Sequence, residues 1–392
     1  MSIVADPTQL KLFRATAEKV RWGTLPARSD DRIGVVRPGE LFQIDTVSHE
    51  GLLEDQGRDP VAFFGAQGIH PEDVLQDAID IARKVPHDQD TDGPHILNRP
   101  ITVRGTRPGD LLAVDIVELA PRVPYGVVSN RHGKGALAGE LPRIGKVSSV
   151  FAHLLSTDPS LAVMSRSGLD AVAMLRLPDE KARETERQAQ SRYPISFRIH
   201  PFLGIMGVTP DTDEHLNSVP PGDFGGNVDI NLMVAGTTLY LPVQVPGAGF
   251  FVGDPHFAQG DGEVSLTALE ASLQATLRIR VIPRDAVKSQ FGELDGPLIE
   301  TPELLVPTGR DRDLDVALQR CTRQAISLLC NRWGLDEVHA YAYLSAATDF
   351  NISEAVDIVK GVHARIRKSD FERNLWSLDV LSAAEQVRLS SD

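Results

Sequence analysis

Cysteine is almost missing from this sequence. Only Cys321 and Cys330 occur, so neither a disulfide framework nor a cysteine-rich zinc motif is available. Aromatic residues are sparse too: three Trp and five Tyr offer little for a sugar-stacking cleft. Cations are outnumbered, with 40 Lys plus Arg against 54 Asp plus Glu and a formal charge of −14. That balance argues against non-specific nucleic-acid binding, which relies on clustered cations, and against an anionic membrane surface. No apolar run reaches the roughly eighteen residues of a membrane span. The opening residues Met1 to Pro7 lack a basic region followed by an apolar stretch, and the chain reads as cytoplasmic. No G-x-S-x-G elbow surrounds Ser265, Thr267 or Ser272, and both cysteines fall in a helical pattern where they read as core. Without an evident Ser or Cys nucleophile, the chemistry points to activated water.

What is present describes a large globular chain. Its 392 residues exceed the roughly 250–300 at which single cores stop growing, so two packed subdomains are expected. From the N-terminus to residue 283, Pro and Gly punctuate short alternating segments, the pattern of an antiparallel β body. Ile101–Arg104 and Leu111–Ile116 read as strands flanking a Pro-Gly turn, and Leu277–Val281 alternates as a half-buried strand does. Thr238–Val245 is another strand, where the missing amide of Pro242 suggests an edge or a bulge. Excursions interrupt this body near 51–95, with helical spacing of Val74, Ala78 and Ile81, and near 125–146, read as a long loop. The charged stretch Asp179 to Arg192 reads as a solvated helix or excursion.

After Pro307 the apolar period changes to about 3.6. Leu314, Leu318, Cys321, Ala325 and Leu328 mark a helix ending near Gly334. Asp336 is expected to cap a second helix through Ala342, and Ser353 a third from Glu354 to Val362. The fold expected is mainly β, a β-sandwich-like body over 1–283 with an α+β part and helical layer over 284–392.

Chemistry concentrates in Gly225-Gly-Asn-Val-Asp-Ile230, Leu241 to Ala248, and Gly253-Asp-Pro-His-Phe-Ala-Gln-Gly-Asp-Gly-Glu263. On an extended chain the i, i+2 pairs Asn227/Asp229, Asp254/His256 and Asp261/Glu263 would each share a face. Carboxylates with imidazole suit zinc or another divalent ion. The bland alternative is that Asp-Gly and Gly-Asp pairs simply make turns, with each His a hydrogen-bonded structural group.

The string Gly225–Glu263 resembles the acetamidase/formamidase family pattern of GGN-x-D, LPV with Gly-Ala, and GD-x-H-x-x-QGDGE. His95–Asp110, His200–Pro210 and Ala340–Asp349 resemble further motifs of that family in the same order. Arg99 and Thr106 depart from it, and the excursion near Tyr125 to Glu140 is similar to a branch that acts on bicyclic γ-lactams. The resemblance implies hydrolysis of a small amide or lactam, by a homo-oligomer. It makes His95, Asp229 and His256 the candidate metal ligands, with Glu263 the general base beside Asp254 and Asp261. Asn227 and Gln259 would bind substrate, and Asp45 and His49 are further pocket candidates from a polar cluster. Arg131 and Lys134 read more simply as a solvated loop. Two other readings stay open: a non-catalytic β-sandwich that binds a ligand or metal, and a glycoside hydrolase pairing Asp254, Asp261 and Glu263.

Overall fold

The computed structural model describes residues 10–164 and 195–372, so the Asp179–Arg192 stretch lies outside the described residues. Among the described residues, nine strands form one sheet and twelve a second, nearly all antiparallel. Their inner faces meet in one core, where Val114, Ile116 and Leu277 of the first sheet join Phe202, Met206 and Phe250 of the second. The protein is therefore mainly β, as its alternating segments imply.

Leu273–Ile282 shows how the pattern works. Leu273, Ala275, Leu277 and Ile279 are buried while Arg278 and Arg280 point outward, so a one-residue slip would expose the whole apolar set. The neighbouring strand Leu111–Pro121 is buried on both faces over its first half, Leu111 to Ile116. Leu112 and Val114 enter the sandwich, whereas Leu111 and Ala113 pack beneath the C-terminal helices with Leu328, Leu329 and Leu344. The Pro-Gly turn at 104–110 does not make a hairpin. It carries the chain from Ile101–Val103 in the twelve-stranded sheet to Leu111–Pro121 in the nine-stranded one.

Several expectations are corrected here. Thr238–Pro242 is an interior strand between Leu111–Pro121 and Leu298–Glu300. Pro242 is tolerated because it lies past the last residue paired with Leu298–Glu300, where no amide donor is required on that side. The 125–146 excursion begins as a strand, Tyr125–Arg131, paired with Val147–Leu154. In the 51–95 excursion the helices are Pro60–Gly65 and Gln76–Lys84, with Ala78 and Ile81 buried against Trp22 and Ile96.

In the C-terminal part, helix Leu314–Trp333 is capped by Asp313, which accepts from the amides of Asp315 and Val316, and ends at Gly334 with φ of 69°. Asp336 accepts from the His339 amide and caps Glu337–Ala347, a helix running beyond Ala342. The third expected helix does not form. Residues 349–367 make two antiparallel strands, Asp349–Glu354 and Lys360–Arg367, and the latter pairs with Leu304–Asp311. The nine-stranded sheet thus continues across residue 283 into the C-terminal part.

Candidate active site

Strand Phe250–Ala258 lies in the middle of the twelve-stranded sheet and carries Asp254 and His256. Its neighbours supply the rest. Glu270 stands directly across from His256 on strand Leu269–Glu270, and His95 immediately precedes Ile96–Asn98, which pairs at Gly253. Asn227 ends the Gly225–Asn227 strand, one strand further out, and Asp229 follows it. Three of the acidic residues adopt positive φ: 43° at Asp229, 51° at Asp254 and 45° at Glu263. Such backbone is strained for a residue with a Cβ and here turns successive carboxylates toward one point.

They line a cavity of about 660 Å³ together with His49, Arg131, Leu266 and the 355–360 turn. His256 Nε2 lies 3.0 Å from Asp254 Oδ2 and 3.1 Å from Glu270 Oε1, and His256 Nδ1 is 3.9 Å from Asp229 Oδ1. His49 Nδ1 is 3.6 Å from Asp254 Oδ1, and His95 Nε2 is 3.9 Å from that same oxygen. His95 Nδ1 is held by Ser218 Oγ at 2.9 Å. Beneath the group, Gly204 has no room for a side chain. A Cβ there would come within 2.3 Å of Asp229 Oδ1 and 2.5 Å of Asp254 Oδ2.

The electrostatics follow from crowding acids in a dry place. Burial, then Asp254, pushes the Asp229 carboxyl well above its ordinary range, and burial, then Asp229 and Asp357, does the same to Glu263. Burial also raises Glu270. Burial opposes charge on Asp254 as well, yet His256 outweighs it and holds that carboxyl well below its usual range. Burial likewise opposes an imidazolium at His49, but Asp254, Glu50 and Glu270 push its pKa up to about 10. His95, with less compensation for its burial, falls to about 4 and is neutral at physiological pH.

Three overlapping groups bring ligand atoms within 4.8 Å of one another: His49, His95 and Asp254; Asp254, His256 and Glu270; Asp229, His256 and Glu263. His256 Nδ1, both Asp229 oxygens, Asp254 Oδ1 and Glu270 Oε2 are buried without a hydrogen-bond partner, while His256 Nε2 meets carboxylate oxygens of Asp254 and Glu270. A neutral imidazole beside crowded, unpaired carboxylate oxygens is a donor set that a divalent cation satisfies. The residues therefore fit a metal. They do not fit it as the single set His95, Asp229 and His256, which splits between groups, with Asp254 belonging to two of them.

The other candidates separate. Asn227, Asp229, Asp254, His256, Glu263, His95 and His49 come together. Asp261 does not: it is exposed and accepts from Asn231 Nδ2 at 2.9 Å and from Asn351. The turn at Gly262 and Glu263 breaks the extended geometry that would have put Asp261 and Glu263 on one face. Gln259 lies behind the site, donating to the Asp229 carbonyl at 2.9 Å, and with Asp261 lines a second cavity of about 770 Å³ that shares Glu263 and Thr267 with the first. Asp45 does not line the site cavity; it accepts from Gln274 at 2.8 Å and faces Arg122 at 3.7 Å.

Sequence reasoning passed over Glu50, Glu270 and Asp357, and it set Arg131 aside as part of a solvated loop. Arg131 is no solvated cation. Its guanidinium is buried, 3.1 Å from Glu50 Oε1 and 2.7 Å from Asp55 Oδ2. Ser129 also donates to Glu50, whose pKa falls to about 2 because Arg131 and His49 outweigh burial. Glu270 carried a usable signal, a lone acid within Ala268-Leu-Glu-Ala. Asp357 was hidden by the helix expected there.

Comparison with known proteins places the chain in a family. Residues 72–367 match the sequence model of the Acetamidase/Formamidase family. A formamidase from Methylophilus methylotrophus is 26% identical over 366 residues, 83% of each chain. An acetamidase from Mycolicibacterium smegmatis is 30% identical over 200 residues, 44% of this chain and 49% of its own. The crystal structure of an acetamidase from Bacillus halodurans shares the fold with a TM-score of 0.66, over 92% of this chain and 99% of its own, at 23% identity. A γ-lactamase from Delftia acidovorans gives a TM-score of 0.52, over 91% and 90%, at 21% identity. The chain is thus an enzyme of the amidase class, hydrolases of carbon–nitrogen bonds other than peptide bonds. Within that class it belongs to the acetamidase/formamidase family.

Proposed function

We propose that the protein hydrolyses a small amide, formamide- or acetamide-like, or opens a γ-lactam ring, using water activated at a divalent metal. The observation that carries this reading is the buried, partnerless set of carboxylate and imidazole atoms converging on one cavity in an amidase-family fold. Asp254 with His256 and Glu270, and with His49 and His95 on its other side, would hold the ion. The donor set, imidazole with carboxylate, favours zinc. A bound zinc ion supplies a Lewis acid for the carbonyl and lowers the pKa of water from about 15.7 to about 7.

The chain's own residues do the rest. Glu263 accepts a proton from the attacking water and returns it to the leaving nitrogen as the C–N bond breaks, leaving a carboxylate and ammonia, or an amino acid from a lactam. Its buried Oε2 has no other partner. The Arg131–Glu50 pair holds the wall beside His49, and burial of the cluster keeps bulk water from competing. The reaction is assigned to the cytoplasm, in at least a dimer; among the described residues no helix is long and apolar enough to cross a membrane.

The test is ammonia release from formamide, acetamide and propionamide by metal-replete protein, with γ-lactam ring opening followed separately and metal content measured on the same sample. Turnover that is lost on chelation and restored by zinc is expected. Protein that holds metal yet yields neither ammonia nor ring-opened product would refute the reading.

A further inference from the structure

We propose that Asn227, held in one orientation by Asp357, binds the substrate's amide nitrogen and makes the site selective for amides that carry an N–H over esters and N,N-dialkyl amides. This rests on the amidase reading above. Asn227 lines the cavity and is 1% exposed. Its Nδ2 donates to Asp357 Oδ2 at 2.7 Å. That bond fixes the carboxamide's orientation: one of the two Nδ2 hydrogens goes to Asp357, and Oδ1 remains buried with no partner. A buried carbonyl oxygen is costly unless an N–H or O–H reaches it. The NH₂ of a primary amide supplies one, while an ester oxygen or a dialkyl nitrogen brings no hydrogen and leaves Oδ1 stranded.

Asp357 reaches this position from far along the chain. It sits in the turn between the last two strands of the nine-stranded sheet, 6% exposed, and lines the same cavity. Asp357 belongs to none of the three metal-competent groups. Toward the substrate it is a positioning residue acting through Asn227, and it also faces Asp229 and Glu263, which is why the test reads the amide-to-ester ratio rather than the amide rate alone. The nitrogen it helps to place lies in the cavity that Glu263 also lines, so the proton taken from water has its acceptor at hand when the C–N bond breaks.

The experiment compares kcat/KM for acetamide, N,N-dimethylacetamide and p-nitrophenyl acetate on zinc-loaded wild type, Asp357→Ala and Asp357→Asn. Wild type is expected to favour acetamide over the dimethyl amide by about 10⁴-fold, the discrimination typical of a site built around a substrate N–H. Asp357→Ala should lose roughly 10–100-fold on acetamide while changing the ester rate by less than about threefold. Asp357→Asn, which still offers an oxygen to Asn227 Nδ2, should recover most of that loss. A general structural defect would lower both substrates together, and an unchanged amide-to-ester ratio in Asp357→Ala overturns the proposal. So does wild type that accepts N,N-dimethylacetamide within about tenfold of acetamide, a measurement needing no variant. Wild type that neither releases ammonia from a primary amide nor opens a γ-lactam removes the amidase reading and this inference together, whereas an unchanged ratio with active wild type removes the inference alone.

Discussion

The residues at the centre are held by what surrounds them, which makes their substitutions diagnostic. Glu263→Gln keeps the shape of a buried side chain but cannot accept a proton. We expect metal retained, KM little changed, and kcat lower by about 100-fold or more in steady-state assays. A folded variant with near wild-type kcat would move the base to Asp254. His256→Ala removes the imidazole that faces Asp254, Glu270 and Asp229, so metal and turnover should be lost together, read by metal analysis of the purified variant. Gly204→Ala tests the packing beneath. Its Cβ would meet Asp229, Asp254 and His256 within 2.7 Å, and these must shift. Activity should fall at least tenfold, since misplacements of about 1 Å can cost that and more. Normal activity in that variant would show that the cluster has slack. At this scale much was legible: Gly204 lies in the Pro201-Phe-Leu-Gly204 string, and Asp229, Asp254, His256 and Glu263 lie in the string most like the family's. Glu50 and Asp357 were not legible, because a carboxylate joins a site through its contacts rather than its neighbours in sequence.

The elements differ in how far local signals determine them. Helix Leu314–Trp333 begins at Asp313, whose carboxylate accepts two amide donors that the first turn leaves free. Asp313→Ala should therefore cost about 1 kcal/mol in denaturant unfolding, and a change below about 0.3 kcal/mol would show that packing alone holds the helix start. This helix and its Gly334 terminus were readable because cap, period and stop coincide. Residues 349–367 illustrate the opposite. Ser353 followed by Glu354 imitates a helix start, yet Ser353 Oγ bonds His363 Nδ1 at 2.9 Å across the two strands. Val362, Ala364 and Ile366 are buried in strand Lys360–Arg367, which pairs with Leu304–Asp311. Pairing to an already formed sheet outweighs a weak local preference.

For the whole molecule, the nine-stranded sheet ends at Lys11–Phe13 on one side and Asp349–Glu354 on the other. Open edges are templates for pairing, and apolar side chains such as Ile144, 91% exposed, and Val264, 64% exposed, also face outward. We expect at least a dimer by light scattering at micromolar concentration. A mass that stays at the 42.7 kDa of one chain would refute this.

Alternation, turn residues and caps, all local properties, were enough to specify a β body with a helical C-terminal layer. The order of motifs from His95 to Asp349 was enough to indicate the family. Tertiary structure alone decided that Leu111 to Ile116 is covered on both faces, that the Pro-Gly turn crosses between sheets, and that Asp261 faces solvent while Glu263 does not. It also brought Glu270 and Asp357 to one cavity from widely separated points in the chain, and set Glu50 behind the Arg131 and His49 that line it. The physical reason is range. Backbone preference is set within a few residues, whereas burial, charge compensation and the convergence of unpaired donor atoms exist only once distant strands have come together.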